Sequence, residues 1–236
     1  MNESLTDIIA AYDRDAAALS ALYEQVSSDT LLGPHADLLA GASGRLALDV
    51  GAGSGRDGAY LSDLGYEVVA AEPAPGMRAA GARLHPGLRW IDDRLPDLAA
   101  VHRLGLSFDL VLLSAVWMHV RPTDRARAFR KLVTLLKPGG LMILTLRHGP
   151  SPPDRPMHAV SLGEIEHLAR EHGLLVARAV VRPDQQGREE VTWTHVCLTD
   201  PPSFQWTPML AFRSWRGVCD EREASGLSGD LQTRSG

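Results

Sequence analysis

The sequence predicts an α/β fold: a doubly wound sheet of seven strands, mostly parallel, with helices on both faces and the last strand antiparallel. Three observations predict it. Apolar runs of strand length alternate with segments of helical period from Leu46 to Leu146. A glycine-rich turn, Gly51-Ala52-Gly53-Ser54-Gly55, joins the first apolar run to the first helical segment behind it. The last two apolar runs, Leu174–Val181 and Val191–Leu198, are joined by RPDQQGREE, a stretch short enough to require an antiparallel pair.

The elements follow in order. Ile8, Tyr12, Ala16, Leu19, Tyr23 and Val26 recur at steps of three and four, the stripe of one amphipathic helix, and Ser4 with Asp7 resembles a capping box at its start. A short helix is expected over Pro34–Ala40. Leu46–Val50 reads as a buried strand, Arg56–Leu64 as a helix ended by Gly65, and Glu67–Ala71 as the second strand. Gly76–Leu84 is a helix, Leu88–Ile91 a short strand, Asp97–Leu104 a helical turn and Phe108–Ser114 a fourth strand. Thr123–Leu136 is expected as a helix with Leu132, Leu135 and Leu136 facing inward, ended by Lys137-Pro138-Gly139-Gly140. Leu141–Leu146 is a fifth strand. A Pro-rich loop covers Gly149–Pro156, and Ser161 with Glu164 opens a capped helix that Gly173 ends. The chain divides into an N-terminal helical segment over 1–44, the α/β domain over 45–200 and a tail over 201–236 that contains Trp206 and Trp215.

Composition narrows the function classes. With 44% hydrophobic and 22% charged residues the chain is globular, and 236 residues can bury a full core. A net charge of −5 provides no general field for nucleic acid or acidic membranes. Two cysteines, Cys197 and Cys219, do not make a disulfide framework or a thiolate metal cluster. The nine histidines show no metal-ligand spacing, so no metal is expected. No run is apolar and long enough for a membrane span, and the first residues lack the pattern of a signal peptide. The expected setting is the cytoplasm.

The glycine turn defines the ligand. In doubly wound sheets ligands bind beyond the carboxyl ends of the strands, and a helix N-terminus there favours an anionic group. A phosphate-binding P-loop needs Gly-Lys-Ser/Thr, whereas Gly55 is followed by Arg56 and Asp57. Gly53, Gly55 and Gly58 satisfy the dinucleotide pattern G-x-G-x-x-G, but the first of them falls two residues late for a turn that should leave the strand directly. An acidic residue followed by G-x-G-x-G, here Asp49, Gly51, Gly53 and Gly55, resembles motif I of the class I S-adenosylmethionine-dependent methyltransferases. FDLVLLSAVWMHV resembles that superfamily's fourth-strand motif, and LLKPGGLMILTL the segment that closes its next helix and opens the fifth strand. The resemblance covers roughly Leu46–Thr199. It implies a Rossmann-like fold with the N-terminal helices as a lid, S-adenosyl-L-methionine as cofactor and S-adenosyl-L-homocysteine as product.

The same resemblance implies roles for residues. Asp49 would hold the cofactor's amino group and the backbone of Gly51, Ala52, Gly53 and Gly55 its methionine part. Glu72, ending the second strand about 20 residues past the glycines, would accept both ribose hydroxyls, as in dinucleotide sites. Asp92 and Asp93 follow the third strand, where the adenine is contacted. Tyr12, Arg56, Pro73, Met77, Ser114 and Ala115 complete the expected cofactor pocket. Arg56 also has Asp57 and Glu72 as alternative partners.

Because the sulfonium carries the reactivity, the protein has mainly to place a nucleophile in line and exclude water. His119, after the fourth strand, is the first candidate base near the transferred methyl, and His148, after the fifth, the second. Trp117 is expected to wall the acceptor pocket, and Met118 to pack in the core. Arg147, Arg155 and His158 bracket the Pro-rich loop, where two arginines can clamp a carboxylate or phosphate. The expected activity is methyl transfer to a small molecule, through an O, N, S or C atom. The competing readings are an NAD(P)-dependent oxidoreductase with a shifted glycine turn and a non-catalytic S-adenosylmethionine-binding protein. Ser114-Ala115-Val116-Trp117 stands where base-amino methylases carry Asn/Asp-Pro-Pro-aromatic, which with the acidic balance argues against a nucleic-acid substrate.

Overall fold

The computed structural model describes residues 5–42 and 44–201. Ser4 of the capping box, Cys219 and the expected tail beyond Pro201, with Trp206 and Trp215, lie outside the described residues.

The sheet has seven strands in the order β3-β2-β1-β4-β5-β7-β6. They are β1 (Leu46–Val50), β2 (Glu67–Ala71), β3 (Arg89–Ile91), β4 (Phe108–Leu113), β5 (Leu136–His148), β6 (Leu175–Pro183) and β7 (Thr192–Thr199). The first five run parallel, and β7 is antiparallel to both β5 and β6, as the short connection required. Strand order reverses between β1 and β4, so a crevice opens at their carboxyl ends, where the glycine turn lies.

Side chains alternate between two cores because the strand period is two. One face carries Leu48, Val50, Val111, Leu113, Met142 and Leu144, packed on Phe129 and Leu132 of α8 (Pro122–Val133) and Ile165 and Leu168 of α9 (Leu162–Glu171). The other carries Ala47, Leu110, Leu112, Leu141 and Ile143, packed on Leu61 of α5 (Arg56–Asp63) and on Leu31, Leu32 and Leu39 of the N-terminal helices. The N-terminal stripe forms two helices, α1 (Leu5–Arg14) and α2 (Ala16–Tyr23), divided at Asp15. Ala16 and Leu19 of α2 pack against Ala74 and Met77 at α6 (Pro75–Leu84), so the lid is seated by apolar contact over the end of β2. The helix expected over Pro34–Ala40 is composite: α3 (Asp29–Leu32), a 3-10 turn at Gly33–His35 and α4 (Ala36–Ala40). The segment after β3 includes α7 (Ala99–Arg103). Ser161 caps α9 as expected, accepting from the Glu164 N–H at 3.1 Å, while the Glu164 carboxylate pairs with Arg125 at 2.7 Å.

One boundary differs from expectation. Helix α8 ends at Val133, and Leu136, expected on that helix, opens β5 by pairing with Phe108. Regular pairing resumes at Leu110↔Leu141, so Lys137-Pro138-Gly139-Gly140 stands opposite Asp109 alone. The segment is a bulge inside the strand rather than a helix stop. A charge holds it: buried Asp109 Oδ2 accepts from Lys137 Nζ at 2.8 Å and from the Leu46 N–H at 3.0 Å, tying β4, β5 and the start of β1 together.

Asp109→Ala should therefore lower unfolding stability by about 2 kcal/mol, since it leaves a half-buried N–H and an ammonium without their shared acceptor. Urea titration with an unchanged m-value checks this, and a loss under about 0.5 kcal/mol would show that the bulge closes without Asp109.

Candidate active site

The crevice at the switch point is a cavity of about 360 Å³, within the size range of small-molecule sites. Its cofactor-like end is built by the turn after β1. The N–H groups of Gly51 and Ala52 both reach the Ala71 carbonyl, at 2.7 and 3.1 Å, which carries the sheet pairing into the turn. Gly51 has φ +67°, and a Cβ there would stand 2.6 Å from Val116 Cγ2. Gly55 caps α5 at φ +87°, where a Cβ would meet Trp90 at 2.7 Å. Only glycine fits at either place. Gly55 thus serves the packing of the turn and is not among the cavity-lining residues, whereas Gly51, Ala52 and Gly53 are.

Glu72 is buried, with Oε2 accepting from the Gly53 N–H at 2.9 Å and Oε1 from the Ala74 N–H at 2.8 Å. Burial raises its pKa, and the two backbone donors oppose that shift. Asp49 lies deeper, and its Oδ2 is buried without a hydrogen-bond partner. Burial, then the charge of Asp57, push its pKa well above the usual carboxylate range. Arg56 does pair with Asp57, bidentately at 2.9 Å for both bonds, and also donates to the Tyr23 carbonyl. Pro73 and Met77 line the wall beside Glu72. Of the two acidic residues after β3, Asp93 lines the cavity, its oxygens accepting from the Arg94 and Val101 N–H groups. Asp92 instead turns outward to Arg78 at 3.2 Å. Ser114 and Ala115 line the cavity just past β4. Ala115 holds φ +58°, uncommon for a residue with a Cβ, and donates its N–H to Thr145 Oγ1 at 2.8 Å.

The opposite end gathers Tyr12, His119, Arg147 and Arg155. Tyr12 Oη lies 3.1 Å from His119 Nε2, the rings meet edge to face, and the Arg155 guanidinium sits 5.3 Å from the Tyr12 ring centroid. Burial, with Tyr23 beside it, raises the Tyr12 pKa. Burial lowers His119 to about 4, with the Pro156 backbone opposing and Arg155, His158 and Arg147 adding. Both groups are neutral near pH 7. Arg147 is buried and donates to the Pro150 carbonyl at 2.8 Å.

Three candidates for the acceptor end are not brought to the cavity. His148 follows Arg147 on a strand, so its side chain takes the opposite face, where Nε2 meets Thr194 Oγ1 at 2.9 Å. Trp117 is fully buried in the core against Phe129, with ring centroids 6.1 Å apart, and it is Met118, expected in the core, that lines the cavity. The 3-10 turn over Trp117–His119 is tight enough to send consecutive side chains to different sides. His158 is exposed; its backbone N–H holds the Met118 carbonyl at 2.8 Å. Sequence reasoning missed Tyr23, Thr145, Asp184, Arg188 and Trp193, all of which line the cavity. The alternation Thr145-Leu146-Arg147 carried the signal for Thr145. RPDQQGREE carried none beyond its charges.

Among the described residues, no group of three or more His, Cys, Asp or Glu side chains is placed to hold a metal, and no helix is long and apolar enough to cross a membrane.

Residues 48–144 match the family model described as a methyltransferase domain. Fold, glycine turn and this match make the domain similar to the class I S-adenosylmethionine-dependent methyltransferases. Among individual proteins, the chain is 39% identical over 104 residues to a ubiquinone biosynthesis O-methyltransferase of Ruegeria pomeroyi, covering 43% of this chain and 40% of that protein. It is 31% identical over 108 residues to a demethylmenaquinone methyltransferase of Renibacterium salmoninarum, covering 46% and 44%. The chain thus spans less than half the length of these curated relatives. The solved structure of Burkholderia thailandensis 1,6-didemethyltoxoflavin-N1-methyltransferase superposes with a TM-score of 0.63 over 83% of this chain and 88% of that one, at 17% identity, a likeness of fold.

His119 gives the site a pH signature. Unfolded, it protonates near about 6.5, whereas in the fold it stays neutral down to about 4. Between those values the unfolded chain binds the extra proton, so stability falls as pH is lowered. Relative to His119→Gln, the parent should lose about 2 kcal/mol between pH 7 and pH 5. Urea unfolding of both proteins at each pH reads this difference, and parallel curves would show that His119 is accessible to protons in the native state.

Proposed function

We propose that the chain transfers a methyl group from S-adenosyl-L-methionine to a small-molecule acceptor that carries an anionic group. The observation that carries this reading is a single cavity lined at one end by the glycine turn, Asp49 and Glu72, and at the other by Tyr12, His119, Arg147 and Arg155. The residues fit the cofactor. Asp49 has a buried oxygen lacking the donor that an ammonium group supplies. Glu72 is fixed by two backbone donors with lone pairs remaining for two ribose hydroxyls. Gly51 and Gly53, both at positive φ, line the cavity with the backbone of the turn.

When bound, the cofactor supplies a methyl group already activated by its sulfonium. The chain's own residues bind, orient and exclude water. Tyr12 and Arg155 roof the acceptor end, joined through the ring-to-guanidinium contact. His119, neutral near pH 7, can accept a hydrogen bond or a proton from the acceptor if Tyr12 yields Nε2. Arg147 makes no salt bridge among the described residues, and the Arg155 Nε, buried without a hydrogen bond, has only the half-exposed Asp154 carboxylate at 3.5 Å. Two guanidinium groups so placed favour an acceptor bearing a negative charge. A net charge of −5 supports a small molecule over nucleic acid as the substrate, and the low cysteine count supports a cytoplasmic setting.

Calorimetric titration with S-adenosylmethionine, S-adenosylhomocysteine, NAD and NADP tests the reading. The first two alone should bind, and binding of a nicotinamide cofactor instead would overturn it. Glu72→Ala should weaken S-adenosylhomocysteine at least tenfold, or about 1.4 kcal/mol, with the far-ultraviolet circular dichroism unchanged. In an acceptor screen, His119→Ala should slow turnover far more than it weakens cofactor binding. Equal rates would leave His119 as a packing residue.

A further inference from the structure

The connection between β6 and β7 is a hydrogen-bonded knot centred on Asp184. Its side chain is only 3% exposed. Oδ2 accepts from the backbone N–H of Gln186 at 2.9 Å and of Arg188 at 3.3 Å, and from Arg188 Nε at 3.0 Å. Oδ1 accepts from Arg188 Nη2 at 2.7 Å and from Trp193 Nε1 at 2.9 Å. Five donors on one buried carboxylate fix both the loop and the two side chains that reach it. Arg188 and Trp193 both line the cavity.

The neighbouring ladder makes this knot part of a wall. Trp193 on β7 stands opposite Arg147 on β5, and His195 opposite Thr145, so all four side chains share one face of the sheet and all four line the cavity. Arg147 is buried, donates to backbone carbonyls and makes no salt bridge among the described residues. Arg188 shares Asp184 with Trp193, the residue paired with Arg147, which brings the two guanidinium groups to one part of the wall; burial first and Arg188 next lower the Arg147 pKa, with Asp184 opposing. The wall therefore holds two cations and one carboxylate whose oxygens are already saturated. A ligand carboxylate would relieve the like-charge repulsion and accept from the guanidinium nitrogens other than the Arg188 Nε and Nη2 that Asp184 holds.

We propose that Arg147 and Arg188 are specificity-determining residues for a carboxylate-bearing acceptor, that Trp193 forms the apolar wall beside that carboxylate, and that Asp184 is the positioning residue that holds this wall in shape. The inference rests on the methyltransferase reading for its biological meaning, but the wall itself can be tested without turnover.

The probe is benzoate, with neutral benzamide as its isosteric control, titrated calorimetrically into the full chain with and without saturating S-adenosylhomocysteine. Benzoate should bind, and benzamide should bind at least tenfold more weakly. Arg147→Gln and Arg188→Gln should each weaken benzoate at least tenfold, and unchanged S-adenosylhomocysteine affinity in Arg188→Gln shows that the variant is folded. Asp184→Asn should weaken benzoate and also move the Trp193 indole N–H resonance upfield, a shift that the two arginine variants do not produce. No benzoate binding to the parent, equal binding of benzoate and benzamide, or benzoate affinity indifferent to both arginine variants would overturn the inference. Absence of S-adenosylhomocysteine binding would instead remove the methyltransferase reading, with the benzoate titration of the free chain still deciding the wall.

Discussion

The site depends on one buried carboxylate. Glu72 leaves the end of β2, reaches back across the crevice to the Gly53 N–H and turns its other oxygen to the Ala74 N–H ahead of α6. It thereby joins the turn after β1 to the turn after β2, one step beyond the bonds of the Gly51 and Ala52 N–H groups to the Ala71 carbonyl. The cost is burial of a charge, visible in its raised pKa, and the two backbone donors offset part of it. The two bonds of Glu72 bring the glycine turn and the start of α6 together, and Pro75 then opens that helix. Met77 on α6 then offers the apolar seat for the lid helices.

The cavity that results is polar in a directed sense. Asp49, Asp57 and Glu72 lie at the glycine turn, whereas Arg147, Arg155 and Arg188 lie at the far end. Most of these charges are locally answered. Arg56 neutralises Asp57, and Asp184 neutralises Arg188. What remains unanswered is asymmetric: a buried Asp49 oxygen at one end, and at the other Arg147, which makes no salt bridge among the described residues. Buried groups left unpaired cost stability in the empty fold, and a ligand with a cationic group and an anionic group at suitable ends would relieve both costs. The proposed cofactor and acceptor have that distribution.

Legibility in the sequence followed the range of the interactions. The strand and helix alternation, the glycine turn, Glu72 and the antiparallel β7 depend on period and local turn chemistry, and these could be read directly. Trp117 and Met118 were exchanged because a 3-10 turn has no stripe to reveal which side faces the core. His148 follows an apolar run and so suggests a place at the crevice, but the strand continues through it and sends it to the face opposite Arg147. Lys137-Pro138-Gly139-Gly140 looked like a helix stop because proline and glycine signal a break in any element, and only the long-range Lys137–Asp109 pair makes it a bulge. The Asp184 knot was illegible for the same reason: its meaning requires Trp193 to return beside it across a hairpin.

The Tyr12–His119 pair stands between the two charged ends. Tyr12 feels both Arg155 and Glu72, one lowering and the other raising its pKa, which places its hydroxyl within the field of each end. Burial is nevertheless the larger influence on both residues, and it acts in opposite senses: an acid becomes weaker and a base becomes weaker. Both groups therefore stay neutral over the whole range in which proteins normally work, and neither cancels the field of the arginines. A pair with so little basicity is poorly suited to tearing a proton from a weakly acidic acceptor. It is well suited to orienting one whose negative charge the arginines already stabilise. On that argument the positive wall and the weak base would belong to one design, since nearby guanidinium charges favour the ionised form of a group on the proposed acceptor.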